Sequence, residues 1–316
     1  MKTGYIALSY RCPHRCLACP CNRAGEVEPD LTLEEMRPII DSAIKDKRLD
    51  HLILSGGEPT LYPHFFDLLE YLASTPLTVG LFTTAERFAQ QDFLEAMLKF
   101  FPTERLRLTT AIHSFDTEKH DTMTGHRGSF GKTMTGLHNV MAKKIPLSVK
   151  YLATKITYRD MESYVRTYFE TFPDSVSLQI CALDYCGVAS DQSEQVKVSF
   201  SEWSPHLESA LDVVIAHEQA GRKRVIRVLD TPLCAADPYY WKYIKIPEQP
   251  VLAVYVSPKD RTARFDVPNE SSPDFGPCRK CSVRSICPGT WQSVAQVFDE
   301  SVFVPISLTK HQTYNH

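Results

Sequence analysis

The stretch TLEEMRPIIDSAIKDKRLDHLILS, residues 32–55, indicates the fold class of the whole chain. Thr32 and Glu35 form a capping box, which marks the start of a helix. Apolar residues then follow at the spacing of one helix face: Met36, Ile39, Ile40, Ala43 and Ile44. The run HLILS at 51–55 is typical of a buried strand. A helix that leads directly into a buried strand is the repeating unit of an α/β protein.

The same alternation continues on both sides of this stretch. Further strands are predicted at 5–9, 78–84, 106–114, 147–153 and 175–182, and further helices at about 64–74, 88–101, 130–143, 159–171 and 201–220. Six strand-helix units in roughly 215 residues are fewer than the eight of a complete barrel. The sequence therefore favours a partial (β/α)6 TIM-like barrel, with a doubly wound sheet as the alternative.

The pattern changes beyond residue 222. The segments that follow, such as RVIRVLDTPLC and DVPNESSPDFGPCRKC, are rich in proline and serine and show no alternation of helix and strand. We therefore expect two domains, a core at 1–222 and a small C-terminal domain at 223–316.

Composition narrows the possible environments. The 316 residues are 43% hydrophobic and 23% charged, with a formal net charge of -3, so nothing indicates binding to nucleic acid or to an acidic membrane. No apolar stretch is long enough for a signal peptide or a membrane helix, which predicts a soluble, cytoplasmic protein. Ten cysteines in a reducing compartment are expected to be metal ligands or catalytic thiols rather than disulfides.

Four of these cysteines lie in CPHRCLACPC, residues 12–21, directly after the first strand. Cys12, Cys16 and Cys19 form a C-x3-C-x2-C run. Three thiolates suit a 4Fe-4S cluster that leaves one iron free for another ligand. A zinc site with Cys21 as the fourth ligand is the alternative, although the C-P-C step bends the chain poorly for joint ligation. Spacing alone favours the cluster.

A second motif, SGGEPTLYP at 55–63, follows the second strand. Gly56 and Gly57 would let the backbone approach a ligand closely, and Glu58 offers a carboxylate to a cationic amine. Together with the cysteine run, this segment resembles the radical S-adenosylmethionine (SAM) superfamily. Members of that superfamily carry a C-x3-C-x2-C loop after the first strand and a GGEP-like motif after the second.

The resemblance implies roles for individual residues. Cys12, Cys16 and Cys19 would bind three irons of a 4Fe-4S cluster, and the fourth iron would chelate the amino and carboxylate groups of SAM. One-electron cleavage of SAM would then give a 5'-deoxyadenosyl radical that abstracts a hydrogen from a substrate. The SAM-binding residues would be Gly56, Gly57, Glu58 and Pro59, with Thr83 after the third strand, Ser114 on the fourth and Lys150 on the fifth.

Two positions depart from the family pattern. Ala18 stands where many members have an aromatic residue near the adenine. Thr83, Thr84 and Ala85 stand where many members have a Thr-Asn-Gly-like turn. Neither departure removes a predicted cluster ligand.

The second cysteine group, Cys278, Cys281 and Cys287, has the spacing C-x2-C-x5-C, and Cys234 upstream can supply a fourth thiolate. Such a set suits either a zinc ribbon or a fully ligated iron-sulfur cluster. The tail resembles the twitch or SPASM-type extensions of radical SAM enzymes, which implies an auxiliary 4Fe-4S cluster.

Two further features carry predictions of their own. Cys186, just after the sixth strand, is a candidate donor of a hydrogen atom to a substrate radical, although free cysteines are commonly buried and inert. Residues 124–130, TGHRGSF, resemble a segment of radical maturases of ribosomal peptides, including the His-Xaa-Ser type. This resemblance predicts that the stretch 113–130, which contains the segment, is a substrate or SAM loop.

The resemblance favours an enzyme that crosslinks or oxidises a ribosomally made peptide. A radical dehydrogenase or epimerase of a small molecule, such as a sugar or an aminoglycoside, is the alternative, and a non-catalytic iron-sulfur electron carrier fits less well. An electron donor such as flavodoxin or ferredoxin is implied. Because the barrel starts near residue 5, we expect either a separate peptide-recognition protein or direct binding of the leader peptide.

Overall fold

The computed structural model describes residues 2–21, 28–244, 251–268 and 275–307 of the chain. Its strands are β1 (Thr3–Ser9), β2 (His51–Gly56), β3 (Thr78–Phe82), β4 (Leu106–Ala111), β5 (Leu147–Leu152), β6 (Ser177–Cys181), β7 (Ile226–Leu229), β8 (Val251–Val256) and β9 (Arg264–Pro268). Its helices are α1 (Leu33–Lys47), α2 (Phe65–Ala73), α3 (Gln91–Phe100), α4 (Thr117–Thr124), α5 (Ser129–Ala142), α6 (Met161–Thr171), α7 (Val188–Asp191), α8 (Ser193–Val196), α9 (Phe200–Gln219) and α10 (Val294–Val297).

All these strands form one open sheet in the order β7-β6-β5-β4-β3-β2-β1-β8-β9. Strands β1 to β8 pair in parallel with their neighbours, and β9 is antiparallel to β8. Helices connect the first seven strands in chain order, as expected for right-handed crossovers. The prediction of an α/β fold with a partial TIM-like barrel is confirmed.

The region after residue 222 differs from the sequence analysis, which recognised no strands there. In the structure, β7 pairs with β6, and β8 pairs with β1, so the sheet continues across residue 222. Strand β7 has only four residues, too few for an alternating pattern to stand out. Backbone hydrogen bonds therefore join the two regions. The division into two domains at residue 222 remains a prediction.

The two faces of the sheet differ in burial. On one face, Ile6, Leu52, Val79, Leu108 and Val149 are at most 1% exposed and pack in one apolar core with the helices. Alternate strand residues point to the opposite face, where the side chains are half-buried. That face includes Tyr5, Ile53, Phe82, Thr109, Lys150 and Gln179. We call it the inner face. The predicted site residues lie beside it, at the carboxyl ends of the parallel strands.

Helix α4 was not predicted. Its eight residues are mostly polar, and Asp116 caps it by accepting a hydrogen bond from the backbone N–H of Lys119. A short polar helix of this kind gives no apolar periodicity to read. In the residues that the structure describes, no helix has both the length and the apolar character needed to cross a membrane.

Candidate active site

The loop of residues 10–21, which we call the cysteine loop, is fastened to the turn after β2. The backbone N–H of Gly57 donates to the carbonyl of Ser9 at 2.7 Å, and that of Glu58 donates to the carbonyl of Arg11 at 2.7 Å. A Cβ on Gly56 would lie 2.2 Å from the Ser9 oxygen, and one on Gly57 would lie 2.3 Å from the Arg11 oxygen. Both glycines are therefore needed for the approach of two backbone segments, a role that the sequence analysis did not foresee.

The other side of the cysteine loop rests on α4. The backbone N–H of Arg15 donates to Thr124 O at 2.8 Å, and that of Leu17 donates to Met123 O at 2.9 Å. These bonds and those from the β2 turn satisfy backbone groups that a free loop would expose to water. The cysteine loop is thus held on two sides.

The thiols of this loop are partly buried, and the sulfurs of Cys12, Cys16 and Cys19 are near enough to shift one another's pKa. Burial raises the pKa of Cys12 to about 12, and the neighbouring Cys19 sulfur adds to the effect. Burial also raises the pKa of Cys16, again helped by the sulfurs of Cys19 and Cys12. Gathered thiols that resist ionisation are suited to a bound cation, because a metal stabilises the thiolate form. The donor set therefore fits an iron cluster.

In the described part of the chain, no three side chains of Cys, His, Asp or Glu converge on a position where a single ion could bind. Ligands of a cluster need no such convergence, because each thiolate bonds to a different iron. The thiol of Cys21 is hydrogen-bonded to Cys19, and this bond is the largest cause of the raised pKa of Cys21.

The carboxylate of Glu58 is buried at 2% exposure and is surrounded by donors. Its Oε1 accepts from the Thr60 N–H at 3.1 Å and from the Thr60 hydroxyl at 2.7 Å. The Thr83 hydroxyl donates to the carboxylate at 2.8 Å, and the Thr84 N–H donates to Oε2 at 2.6 Å. Glu58 therefore joins the ends of β2 and β3 at the edge where the cysteine loop lies.

Thr83 also positions the turn that departs from the family pattern. Its hydroxyl accepts a hydrogen bond from Ala85 N at 3.0 Å, and Ala85 adopts a left-handed conformation with φ of 61°. Glycine adopts this conformation without the Cβ penalty, as in the Thr-Asn-Gly-like turn that the resemblance implies for this position. The chain keeps the turn with alanine in that place.

A charged cluster, absent from the sequence predictions except for Lys150, lies at the carboxyl ends of β5, β6 and β7. The Cys181 sulfur is the largest cause of the raised pKa of Lys150, and Asp230 and Asp184 add to it. Burial raises the pKa of Asp230 to about 6, with Asp184 adding to the shift and Lys150 opposing it. No motif marks the two aspartates, and only their position just after strands could have indicated them.

The C-terminal region holds this cluster in place. The Ser293 hydroxyl donates to Asp184 Oδ1 at 2.7 Å, and the Thr290 hydroxyl donates to the carbonyl of Asp230 at 2.7 Å. Both hydroxyl residues follow Cys287 closely in the chain. The cysteine-rich tail is thus joined directly to the loops that carry the charged cluster.

The second cysteine group surrounds a cavity of about 160 Å³. Cys234, Cys278, Cys281 and Cys287 all line it, although they come from two distant segments of the chain. Backbone N–H groups point at the sulfurs: Leu233 N lies 3.3 Å from Cys287 Sγ, and Ile306 N lies 3.4 Å from Cys281 Sγ. Burial raises the pKa of Cys234 to about 11, and the other three sulfurs add to the shift.

The remaining predicted residues lie in different surroundings. Ser114, just beyond β4, is buried, and its hydroxyl accepts a hydrogen bond from Asp116 N at 3.0 Å. Pro59 is also buried, at the start of a short 3-10 helix. Cys186 is exposed, whereas Cys181 is buried on the sheet.

Two buried imidazoles lie near the cysteine loop. Burial lowers the pKa of His113 to about 3 and that of His120 to about 4, and their rings are 5.7 Å apart. Within the described residues, Nδ1 of His113 and both ring nitrogens of His120 make no hydrogen bond. These side chains are neutral at physiological pH.

Comparison with known proteins shows which family and which proteins the chain is similar to. The family model of the Radical SAM superfamily matches residues 6–168. The AdoMet-dependent heme synthase of Methanosarcina barkeri (strain Fusaro / DSM 804) is 26% identical over 162 residues, which are 51% of this chain and 44% of that protein. The mycofactocin maturase MftC of Mycobacterium tuberculosis (strain ATCC 25618 / H37Rv) is 25% identical over 136 residues, 43% of this chain and 33% of that protein. The chain spans less than half the length of these curated relatives.

Solved structures show a similar fold. SuiB of Streptococcus suis bound to S-adenosylmethionine superposes with a TM-score of 0.65 over 96% of this chain and 76% of SuiB, at 14% identity. SuiB bound to its precursor peptide SuiA superposes with a TM-score of 0.60 over 81% of this chain and 57% of SuiB, at 15% identity. At these identities the likeness concerns the fold alone.

Proposed function

This chain belongs to the radical SAM superfamily, and from that premise we propose that it cleaves SAM reductively and abstracts a hydrogen from a peptide substrate. Membership implies a 4Fe-4S cluster and SAM. The observation that carries the proposal is the cysteine loop, in which three gathered thiols are held between the β2 turn and α4.

The cysteines of the loop would have different roles. Cys12, Cys16 and Cys19 would hold three irons, and Cys21 would remain outside the ligand set. When bound, the cluster and SAM together supply a 5'-deoxyadenosyl radical through one-electron cleavage of a carbon-sulfur bond. Gly56 and Gly57 keep the β2 turn against the cysteine loop, so that both motifs would face one ligand.

The other residues would bind SAM or orient the substrate. Pro59 begins the short helix beside Glu58, and that carboxylate and Thr83 brace the turn near which the amine of SAM would bind. Ser114 and Lys150 would contact the carboxylate and ribose of SAM. The inner face offers aromatic rings on β1, β3 and β8, where Tyr5 stacks on Tyr255 at 5.7 Å. A half-enclosed surface of this kind keeps water from a reactive radical.

We propose an auxiliary 4Fe-4S cluster at Cys234, Cys278, Cys281 and Cys287. A zinc ion bonds each sulfur at about 2.3 Å and leaves no free volume between its ligands. The four thiols line a cavity of about 160 Å³, which has room for a larger group. Backbone N–H donors aimed at the sulfurs are also the interactions that tune iron-sulfur clusters. An auxiliary cluster supports the oxidation or crosslinking of a substrate, and hence an oxidoreductase of the peptide-maturase type.

Relatives that act in peptide maturation support the peptide substrate, since one is named a mycofactocin maturase and SuiB has been solved with its precursor peptide. The alternative is a small-molecule dehydrogenase or epimerase. The charged cluster around Lys150 favours it, because charged groups at the carboxyl ends of the strands can bind a polar metabolite. Cys186 would be the hydrogen donor in an epimerase, and its exposed position leaves that role a prediction.

The proposed activity is tested with reconstituted, chemically reduced protein. We expect it to convert SAM to 5'-deoxyadenosine, measured by liquid chromatography, and we expect Cys16→Ala to abolish the conversion. Cys21→Ala is the matched control, because its thiol lies in the same loop outside the proposed ligand set. Equal activity of the Cys16→Ala protein would refute the proposal. Incubation with candidate precursor peptides and with sugars would then separate the two substrate classes.

A further inference from the structure

The segment TGHRGSF, residues 124–130, lies against the outside of the cysteine loop. Besides the bond from Arg15 N to Thr124 O, the Nδ1 of His126 lies 3.0 Å from the carbonyl oxygen of Pro13. A Cβ on Gly125 would come within 2.7 Å of the Arg15 oxygen, so the two backbones are in close contact. The segment and the cysteine loop therefore form one continuous surface.

Three cationic side chains and one imidazole form this surface. We call Arg15, His126, Arg127 and Lys132 the cationic face. Arg15, Arg127 and Lys132 are exposed, and within the described residues neither guanidinium makes a hydrogen bond or an ion pair. The Lys132 ammonium lies 3.3 Å from His126 Nε2.

Two carboxylates lie next to the cationic face; one accepts hydrogen bonds from neighbouring groups and the other is largely buried. Asp121 accepts hydrogen bonds from Gly128 N at 2.5 Å, from Phe130 N at 3.0 Å and from the Ser129 hydroxyl at 2.9 Å. The side chain of Glu86 is only 10% exposed. The three exposed cations, Arg15, Arg127 and Lys132, outnumber these two carboxylates, so the named groups carry a net positive charge.

A short chain of contacts leads inward from the cationic face. Glu86 Oε2 lies 3.9 Å from the Lys132 ammonium, and its Oε1 lies 2.7 Å from His14 Nε2. The other ring nitrogen, His14 Nδ1, lies 3.9 Å from Cys16 Sγ. The surface cations are thus two side chains away from a proposed cluster ligand.

We propose that the cationic face docks a small acidic protein that carries one electron and delivers it to the cluster held by Cys16. The inference rests on the proposed function, since each cleavage of SAM consumes one electron from outside the chain. In the docking step the carrier loses one electron and the cluster gains it, while no covalent bond forms or breaks. Opposite charges raise the association rate of such partners by about 10- to 1,000-fold at low salt.

Charge reversal on the reconstituted full-length protein tests the docking. We expect Arg127→Glu combined with Lys132→Glu to lower the second-order rate constant for cluster reduction by reduced flavodoxin by about tenfold or more at low ionic strength. The salt dependence of this rate should also become weaker, because the steering attraction is lost. The rate is followed by stopped-flow absorbance of the cluster.

Lys99→Glu is the matched control. Lys99 is exposed in the last turn of α3, which leads back to the amino ends of the strands, far from the cysteine loop. It should leave the rate and its salt dependence unchanged. Arg127→Lys, which preserves the charge, should retain most of the wild-type rate.

A small photochemical reductant, deazaflavin, separates the two possible failures. Every variant should be reduced by it and should keep the wild-type iron content. Because Arg127 lies in the segment predicted to be a substrate or SAM loop, the rate of SAM cleavage of each variant under deazaflavin is the reference for its rate with flavodoxin. If the wild-type protein fails to cleave SAM under deazaflavin, the proposed function is wrong. If it succeeds, but the doubly reversed protein accepts electrons from flavodoxin with wild-type rate and salt dependence, the docking proposal is overturned.

Discussion

At the scale of single residues, Glu58 is a predicted SAM-binding residue that also stabilises the fold. Its two oxygens accept hydrogen bonds from Thr60, Thr83 and Thr84. Glu58→Gln would replace one acceptor oxygen with a donor that faces other donors. Because a buried donor without an acceptor costs about 1–3 kcal/mol, we expect the free energy of unfolding to fall by that amount.

Urea unfolding of the purified protein measures this effect. Glu70→Gln serves as the control, because Glu70 is exposed on α2, and we expect a change within about 0.5 kcal/mol there. Equal stability of the Glu58→Gln and Glu70→Gln proteins would show that the carboxylate has no structural role.

Asp230 carries a second prediction at this scale. Its pKa is raised to about 6 by burial and by Asp184, whereas an unfolded aspartate titrates near 3.9. Between these values the folded state binds more protons than the unfolded state, so stability falls as the pH rises from about 4 to about 6. Above this window the ionised carboxylate keeps the native state less stable than it would be with a neutral side chain.

Asp230→Asn removes the charge and tolerates the left-handed backbone of this position, where φ is 57°. We expect the free energy of unfolding to rise by about 1–3 kcal/mol at pH 7.5 and by less at pH 5. Urea unfolding at the two pH values tests the sign. A variant that is less stable at pH 7.5, or a difference that does not change with pH, contradicts the prediction.

The residues of the site differ in how far the sequence could predict them. The cysteines and the GGEP segment were predictable, because a fixed spacing after a strand identifies them locally. Asp184 and Asp230 were not, because their significance arises only when β6 and β7 bring them beside Lys150. The second role of Gly56 and Gly57 likewise depends on contacts with a distant segment.

At the scale of elements, helix α5 provides a direct test of packing. A Cβ on Gly136 would lie 2.0 Å from the carbonyl oxygen of Ala85, in the turn that follows β3. Gly136→Ala should therefore push the helix away from this turn and lower the free energy of unfolding by about 1–3 kcal/mol.

Gly131→Ala in the same helix is the matched control. A Cβ at this position would meet nothing within 4 Å, and alanine is the better helix former. We expect the stability to stay the same or to rise by up to about 1 kcal/mol, measured by thermal unfolding. If both substitutions have the same effect, the contact between Gly136 and Ala85 does not govern the packing of α5.

The elements were predictable where their periodicity was long. The helix predicted from the capping box begins at Leu33 and ends at Lys47, and the six strands of the repeating units were all found. Strands β7 and β9 lie at the edges of the sheet, and they depend on partners that are distant in sequence. Pairing across the sheet, rather than local pattern, defines such strands.

At the scale of the whole molecule, the two cysteine groups lie in separately supported sites. The backbone bonds that hold the cysteine loop come from the β2 turn, α4 and α7, whereas the cavity of the second group is lined entirely by residues from Pro232 onward. We therefore expect each proposed cluster to survive the loss of the other. The variants Cys16→Ala and Cys234→Ala with Cys281→Ala form the pair that tests this independence.

The wild-type protein, once reconstituted, should hold about eight irons per chain, and each of the two variants should hold about four. The variant without Cys234 and Cys281 should still cleave SAM under chemical reduction, because the cysteine loop keeps all its contacts. The Cys16→Ala variant should lose the cleavage and keep the iron of the second group. Iron analysis, a zinc assay and product chromatography measure these outcomes. Stoichiometric zinc in the Cys16→Ala protein would refute the auxiliary cluster, and loss of all iron from either variant would show that the two sites form as one unit.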